Sequence, residues 1–328
     1  MDKVEHSKRT QGEQAYDRGY LPVSDGHSLY YEQAGNPEGV PVVCLHGGPG
    51  AGANAWTRRF FDLSHYRVIQ FDQRGAGRST PGGGLRANTT WHLVGDTDAL
   101  RRHLGIDQWL VFGGSWGATL ALAYAGQHPE SVRGLVLRGL FLGRRTDREW
   151  FLDGLSRFYP DAHRRWLEAL PEDQRDDPLA GYRDRLDDRD RRVRLSAGEA
   201  WTRYESSCSS LAGGGSFGAS EAAWRMARCE AHYLAHDCFF DDPERGALSC
   251  VPEDGFDFPG VLVHGRFDMI CPLSGAFELQ QRWPSLDLQV VQQAGHSAAE
   301  PAITEALTAA VETAKAWSEV RVCQTGIF

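Results

Sequence analysis

Ser115 stands in the stretch Gly113-Gly114-Ser115-Trp116-Gly117, a spacing that suits a nucleophile. A serine hydroxyl attacks well only when a neighbouring base takes its proton, and a histidine oriented by a carboxylate serves best. Both partners follow in the chain in the order serine, aspartate, histidine: Asp268 in His264-Gly265-Arg266-Phe267-Asp268, and His296 in Ala294-Gly295-His296-Ser297. Acyl transfer also needs donors for the oxyanion of the tetrahedral intermediate. The N–H of Trp116, next after the serine, is one such donor. Gly47 or Gly48 supplies another from His46-Gly47-Gly48-Pro49-Gly50, where a proline inside a glycine run argues for a backbone held in one shape. His264, at a strand end, reads as a packed core histidine.

These residues work only if the fold brings them together, and the flanking patterns predict how. The apolar run 109–112 reads as a buried strand, and the small-residue run 118–125 as a buried helix that begins at the serine. A β-carbon at Gly113 or Gly117 would keep strand and helix apart, and the helix N-terminus favours negative charge beside Ser115. A hairpin around Asp25-Gly26 is followed by apolar runs at 40–45, 66–71, 109–112, 132–137, 260–264 and 286–291. Helical patterns at 90–103 and 115–128 lie between them. This alternation predicts an α/β fold with a mostly parallel central sheet flanked by helices, whose ligands bind beyond the carboxyl ends of the strands. Asp268 and His296 each fall just past such an end. Asp268 also reads as a cap for a helix starting near Pro272.

The alternation stops at about Arg144 and resumes at Gly260. The intervening segment is rich in Arg, Asp, Trp and Glu, carries a mixed-charge run at 175–194 that reads as a solvated face, and includes a flexible Gly213-Gly214-Gly215 loop. An inserted helical cap over the strand ends is the expectation. It divides the chain into a first core part at 1–143, with 1–18 a polar arm, a cap at 144–254, and a second core part at 255–328.

Composition excludes other classes. The chain has 328 residues and a net charge of −9, with no basic run over an aromatic platform, which argues against nucleic acid. No stretch approaches the roughly 18 apolar residues of a membrane span, and the charged N-terminus reads as neither signal nor transit peptide. Seven scattered cysteines, an odd number, read as reduced thiols in a cytoplasmic protein. Three motifs compete with the serine. Gly50-Ala51-Gly52-Ala53-Asn54-Ala55, with Asp72 ending a strand downstream, fits a dinucleotide fingerprint and makes an oxidoreductase the alternative of a different class. His232 and His236, near Cys229 and Cys238, have metal-like spacing without an accompanying base. Gly82-Gly83-Gly84 lacks the Lys-Ser/Thr of a phosphate loop.

Taken together, YLPVSDGHSLYYEQAGNP, HGGPGAG, FDQRGAGRS, GGSWGATLALAYA, LVLRGLFL, HGRFDMICPL and AGHSAAEP resemble the proline iminopeptidases of the α/β-hydrolase superfamily, from about Tyr20 to Trp317. The resemblance implies a serine exopeptidase that releases N-terminal proline from small peptides and needs neither cofactor nor metal. A related hydrolase of other aminoacyl amides or esters is the alternative within the superfamily. The family's triad falls on Ser115, Asp268 and His296, and its acidic pair for the substrate amine on Glu205 and Glu230. Arg138 falls where the family has an arginine near that site, and Phe141 and Cys271 where the proline pocket is lined. The stretch Trp150–Gly154 is one residue shorter than the family's run, which leaves open which aromatic there meets the ring. An acidic pair suits this task independently, because a cation leaving water needs a compensating anion.

Overall fold

In the computed structural model, which describes residues 14–212 and 218–318, the apolar runs form one eight-stranded sheet. Its strands are β1 (Asp17–Pro22), β2 (Ser28–Gly35), β3 (Val40–Leu45), β4 (Tyr66–Phe71), β5 (Trp109–Gly114), β6 (Val132–Arg138), β7 (Gly260–Gly265) and β8 (Asp287–Val291). The spatial order is β1-β2-β4-β3-β5-β6-β7-β8, antiparallel at the β1, β2 and β4 end and parallel from β4 onward. The inner strands read as unbroken apolar runs because helices cover both faces. Alternate residues accordingly serve opposite cores. Val43 and Val111 pack with helices α1 (Thr90–His103) and α2 (Trp116–Gln127), while Val42 and Leu110 pack with the last helix, Pro301–Ala314.

Between β6 and β7 the described residues form helices and no strand. These are α3 (Arg145–Leu152), α4 (Pro160–Glu168), α5 (Pro178–Leu186), α6 (Arg191–Cys208) and α7 (Glu221–Ala235). Their tryptophans and tyrosines build a separate core, with Trp166 stacked between Tyr182 at 5.1 Å and Tyr204 at 4.9 Å, and Trp201 edge-on to Tyr182 at 5.3 Å. Helix starts carry the expected side chains: Asp177 accepts from Ala180 N–H before α5, and Ser220 from Ala223 N–H before α7. Helices α8 (Ser274–Arg282) and α9 (Pro301–Ala314) complete the core after β7 and β8.

Several boundaries differ from the sequence reading. Asp17 and Arg18 are not arm but the start of β1, paired with Gln33 and Glu32, because an edge strand tolerates alternating polar residues on its open side. The hairpin around Asp25-Gly26 is present, with β1 paired antiparallel to β2 and its connection a short 3₁₀ segment at Ser24–Gly26 in which Asp25 adopts φ 61°. Helix α8 starts at Ser274, two residues beyond Pro272. The rest of the polar arm, residues 1–13, and the glycine run at 213–215 lie outside the described residues. Among the described residues no helix is long and apolar enough to cross a membrane, and the cysteines there are free thiols.

Candidate active site

Ser115 sits between β5 and α2 at φ 58°, ψ −126°, a backbone conformation that costs a non-glycine residue about 1–3 kcal/mol. The neighbours hold it there. Its N–H donates to the Arg138 carbonyl at 2.9 Å, and its carbonyl accepts from Ala118 N–H at 2.9 Å. A β-carbon on Gly113 would strike the Gly117 carbonyl, and one on Gly117 would strike the Leu45 carbonyl. Glycine at both positions therefore lets β3, β5 and α2 converge on the serine. As the first residue of α2, Trp116 carries an N–H with no intrahelical acceptor. Gly47 abuts Ser115: a β-carbon there would lie 3.3 Å from Gly114 O and 3.5 Å from Ser115 Cβ. Gly48 adopts φ 105°, open only to glycine.

Asp268 and His296 meet beyond the ends of β7 and β8. His296 Nδ1 lies 2.7 Å from Asp268 Oδ2, while Asp268 Oδ1 accepts the Cys271 N–H at 2.8 Å. One carboxylate thus both caps its own turn and orients the imidazole. Burial pushes the Asp268 carboxyl up. The His296 imidazole, its hydrogen bond, His264 and the Cys271 N–H outweigh burial and hold the group below its ordinary value. His264 is fully buried and its pKa is lowered by burial, so it is neutral; Nε2 donates to Cys271 O at 2.8 Å and Nδ1 accepts from Leu140 N–H at 3.3 Å. It buttresses the turn that presents Asp268.

Arg138 turns toward the histidine. Its Nη1 donates to His296 Nε2 at 3.0 Å and to His296 O at 2.8 Å. A guanidinium only donates, so Nε2 is the accepting nitrogen and Nδ1–H points to Asp268, the tautomer a general base requires. The ligand atoms of Cys271, Asp268 and His296 all lie within 4.8 Å of one another, the one such group among the described residues. Asp268 and His296 within it are joined by a hydrogen bond. A metal would have to displace the proton shared by Asp268 and His296, and burial pushes the Cys271 thiol well above its ordinary value, keeping it neutral.

A cavity reaches from Ser115 into the inserted helices, where Phe141, Phe151, Leu234 and Ile270 give it apolar walls. Two carboxylates break that surface, Glu205 from α6 and Glu230 from α7. Glu230 is 5% exposed; its Oε2 accepts from the Trp201 indole at 2.6 Å, and its Oε1 has no hydrogen-bond partner. Burial pushes Glu205 up to about 7. Glu230 rises well above the ordinary carboxylate value, first by burial and then by repulsion from Glu205. An apolar chamber holding a strained serine and two acids without a cationic partner among the described residues can accommodate an apolar cation that carries a carbonyl.

The sequence candidates divide as follows. Ser115, Gly48, Phe141, Cys271, Glu205 and Glu230 line this cavity; Gly47 and Arg138 line a second cavity behind the serine, with His46 and Gln70. Arg138 thus faces His296 rather than the acidic pair. Phe151 lines the cavity, while the Trp150 indole donates to Met269 O at 2.7 Å, which distinguishes the two aromatics that the sequence leaves open. Trp201 is a functional neighbour with no motif of its own, although it lies four residues before Glu205 on one helix, a spacing that shares a face.

The competing motifs are consumed by the protein itself. Asp72 accepts from Ala53 N–H at 2.6 Å and pairs with Arg78 at 2.7 Å, so it has no free oxygen for a ribose. Gly50 lies against α7, where a β-carbon would be 2.8 Å from Cys229 Cβ. His232 bonds Asn88 O and His236 bonds His232 O, at 3.0 and 2.7 Å.

A serine on such an elbow, with an aspartate–histidine pair from later strands of a mostly parallel sheet, defines a serine hydrolase of the α/β-hydrolase class. The family model for the alpha/beta hydrolase fold matches residues 40–302. A proline iminopeptidase of Xylella fastidiosa (strain Temecula1) is 48% identical over 303 residues, 91% of this chain and 96% of that protein. One from Xanthomonas citri is 47% identical over 302 residues, 90% of this chain and 96% of that protein. The crystal structure of a proline iminopeptidase from Mycobacterium smegmatis matches with a TM-score of 0.62 at 17% identity, over 92% of this chain and 98% of that one, a likeness of fold. The chain belongs to the proline iminopeptidase family, and the oxidoreductase alternative falls.

Proposed function

We propose that this chain is a serine exopeptidase that releases N-terminal proline from small peptides, with Ser115 as nucleophile, His296 as base and Asp268 as its orienting acid. The observation that carries the reading is Glu230 Oε1, buried without a partner in an apolar cavity that also holds Ser115. A prolyl ammonium supplies the missing charge, and the ring fills the space between Phe141, Phe151 and Ile270. Because Glu205 and Glu230 take up the free amine, only the first residue of a peptide brings its carbonyl to the serine.

The steps follow from the donors and acceptors in place. Ser115 Oγ attacks the prolyl carbonyl carbon as its proton passes to His296 Nε2, taking the place of the Arg138 N–H. The oxyanion is received by the N–H groups of Trp116 and of Gly47 or Gly48. The C–N bond breaks, the shortened peptide leaves with the proton from His296, and a prolyl ester remains on Ser115. Water, deprotonated by the same imidazole, then hydrolyses the ester and frees proline. The helices of 144–254 act as a cap that excludes bulk water, and the free thiols suit the cytosol.

Ser115→Ala should lower hydrolysis of proline p-nitroanilide by at least about 1,000-fold without changing the thermal midpoint. Turnover within tenfold of the parent protein overturns the assignment of the nucleophile. A panel of aminoacyl anilides with and without an acetylated amine reads the substrate class. Proline anilide should lead, and its N-acetyl form should be inert.

A further inference from the structure

The two oxyanion donors come from segments far apart in sequence, after the adjacent strands β3 and β5, whose pairing ends at Leu45 and Gly113, short of both donors. Gln73, on the loop after β4 and 1% exposed, touches both. Its Oε1 accepts from the Trp116 indole N–H at 2.9 Å, and its Nε2 donates to the His46 carbonyl at 2.9 Å. Its own N–H donates to His46 Nε2 at 3.0 Å. That bond makes Nε2 the acceptor, so His46 Nδ1 carries the proton and donates to the Gly47 carbonyl at 2.9 Å. Burial lowers the His46 pKa, which favours the neutral ring, and the two hydrogen bonds set its tautomer.

We infer that Gln73 is the positioning residue of the oxyanion site, welding the Trp116 end of α2 to the His46-Gly47-Gly48 turn through Trp116, Gln73, His46 and Gly47 in one hydrogen-bonded chain. The inference rests on the peptidase reading above. A side-chain amide suits this join between an indole N–H and a carbonyl, because it offers one acceptor and one donor on a single rigid plane. Gln73 touches no substrate; its effect on the reaction runs through the two N–H groups it places. Donors displaced by a fraction of an ångström still leave the cavity able to bind an amine, but they no longer meet the oxyanion.

Two variants test this. Gln73→Met keeps the length of the side chain without its polar atoms, and Gln73→Leu is the second. With proline p-nitroanilide, each should lower kcat by about 10–100-fold with KM within threefold. Pyrrolidine-2-boronic acid, which forms a tetrahedral adduct on Ser115 Oγ with an oxygen in the oxyanion site, should bind more weakly by the same factor. Pyrrolidine, which engages the carboxylates alone, should bind within twofold of the parent. A kcat within threefold of the parent overturns the inference, as does equal weakening of both ligands, which marks general loosening. Failure of both variants to fold would make Gln73 a core residue and overturn it too. A parent protein inert to the anilide and to the boronate would instead fell the peptidase reading itself.

Discussion

Glu230 has one carboxylate oxygen held by Trp201 and the other facing the cavity alone, with Glu205 close enough to repel it. Such an arrangement is unfavourable in the empty protein and is relieved by a bound cation. Charge-assisted hydrogen bonds contribute about 1.5–3 kcal/mol each, so Glu230→Gln or Glu205→Gln should raise KM for proline p-nitroanilide by about 10–150-fold with kcat changed less than threefold. Steady-state kinetics check the split. The raised carboxyls also give a pH signature. Glu205, pushed up to about 7, and Glu230 must be ionised to receive an ammonium, so KM should rise as pH falls from 8 to 6. Stability runs the other way. The folded state binds protons more tightly than the unfolded chain, whose carboxyls titrate near about 4.3, so the stabilisation is fully present below that value and lost as pH rises through about 7. Without ligand, the thermal midpoint at pH 8 should be higher in Glu230→Gln than in the parent. A lower midpoint in the variant would show that the pair is not strained.

The elbow between β5 and α2 is an element-scale device, since Ser115 keeps its φ of 58° only while strand and helix stay in contact at Gly113 and Gly117. Gly117→Ala places a methyl against the Leu45 carbonyl at the end of β3. Overpacking of this kind costs about 1–3 kcal/mol and shifts backbone, and a shift here moves Ser115 and the Trp116 N–H, the proposed nucleophile and oxyanion donor, together. The variant should lose at least about 100-fold in kcat and unfold at lower urea. Full activity with unchanged stability would mean that strand and helix have slack. Much of this element is readable in the chain, because Gly-Gly-Ser-Trp-Gly between an apolar run and a run of alanines and leucines permits little else. The Asp268 turn is less legible. Aspartate a few residues before Pro272 reads as a helix cap, but α8 starts after Leu273 with no side-chain cap; Asp268 instead accepts the Cys271 N–H within its own turn, with its second oxygen left for His296.

Across the whole molecule, α7 carries Glu230 and is fastened to the sheet's loops at several points. Arg225 donates to the Gly77 carbonyl and Arg228 to the Gly83 carbonyl, Trp224 covers Gly83, and Cys229 lies against Gly50. The distance between Glu230 and Ser115 therefore depends on how the inserted helices sit on loops after β3 and β4. Replacing Arg225 and Arg228 together by Met should raise KM for proline p-nitroanilide by about 3–10-fold, the scale of mutations that act through packing. Hydrolysis of p-nitrophenyl acetate, which has no amine to place, should stay within twofold. An equal loss on both substrates would mean that these arginines support the serine and not the amine site.

The chain by itself determined the local devices: the strand–serine–helix elbow, the glycine loop, the order of serine, aspartate and histidine, and the parallel sheet that alternating apolar runs require. Each depends on backbone sterics or side-chain periodicity within about a dozen residues, where covalent connection already restricts the geometry. Tertiary structure decided the rest. Arg138 faces His296 rather than the acidic pair, Trp201 holds a glutamate 29 residues away, and Gln73 bridges two loops. Long side chains such as these have several partners within reach of their rotamers. Which one they meet is set by how helices and loops from distant parts of the chain pack, and no short-range pattern records that.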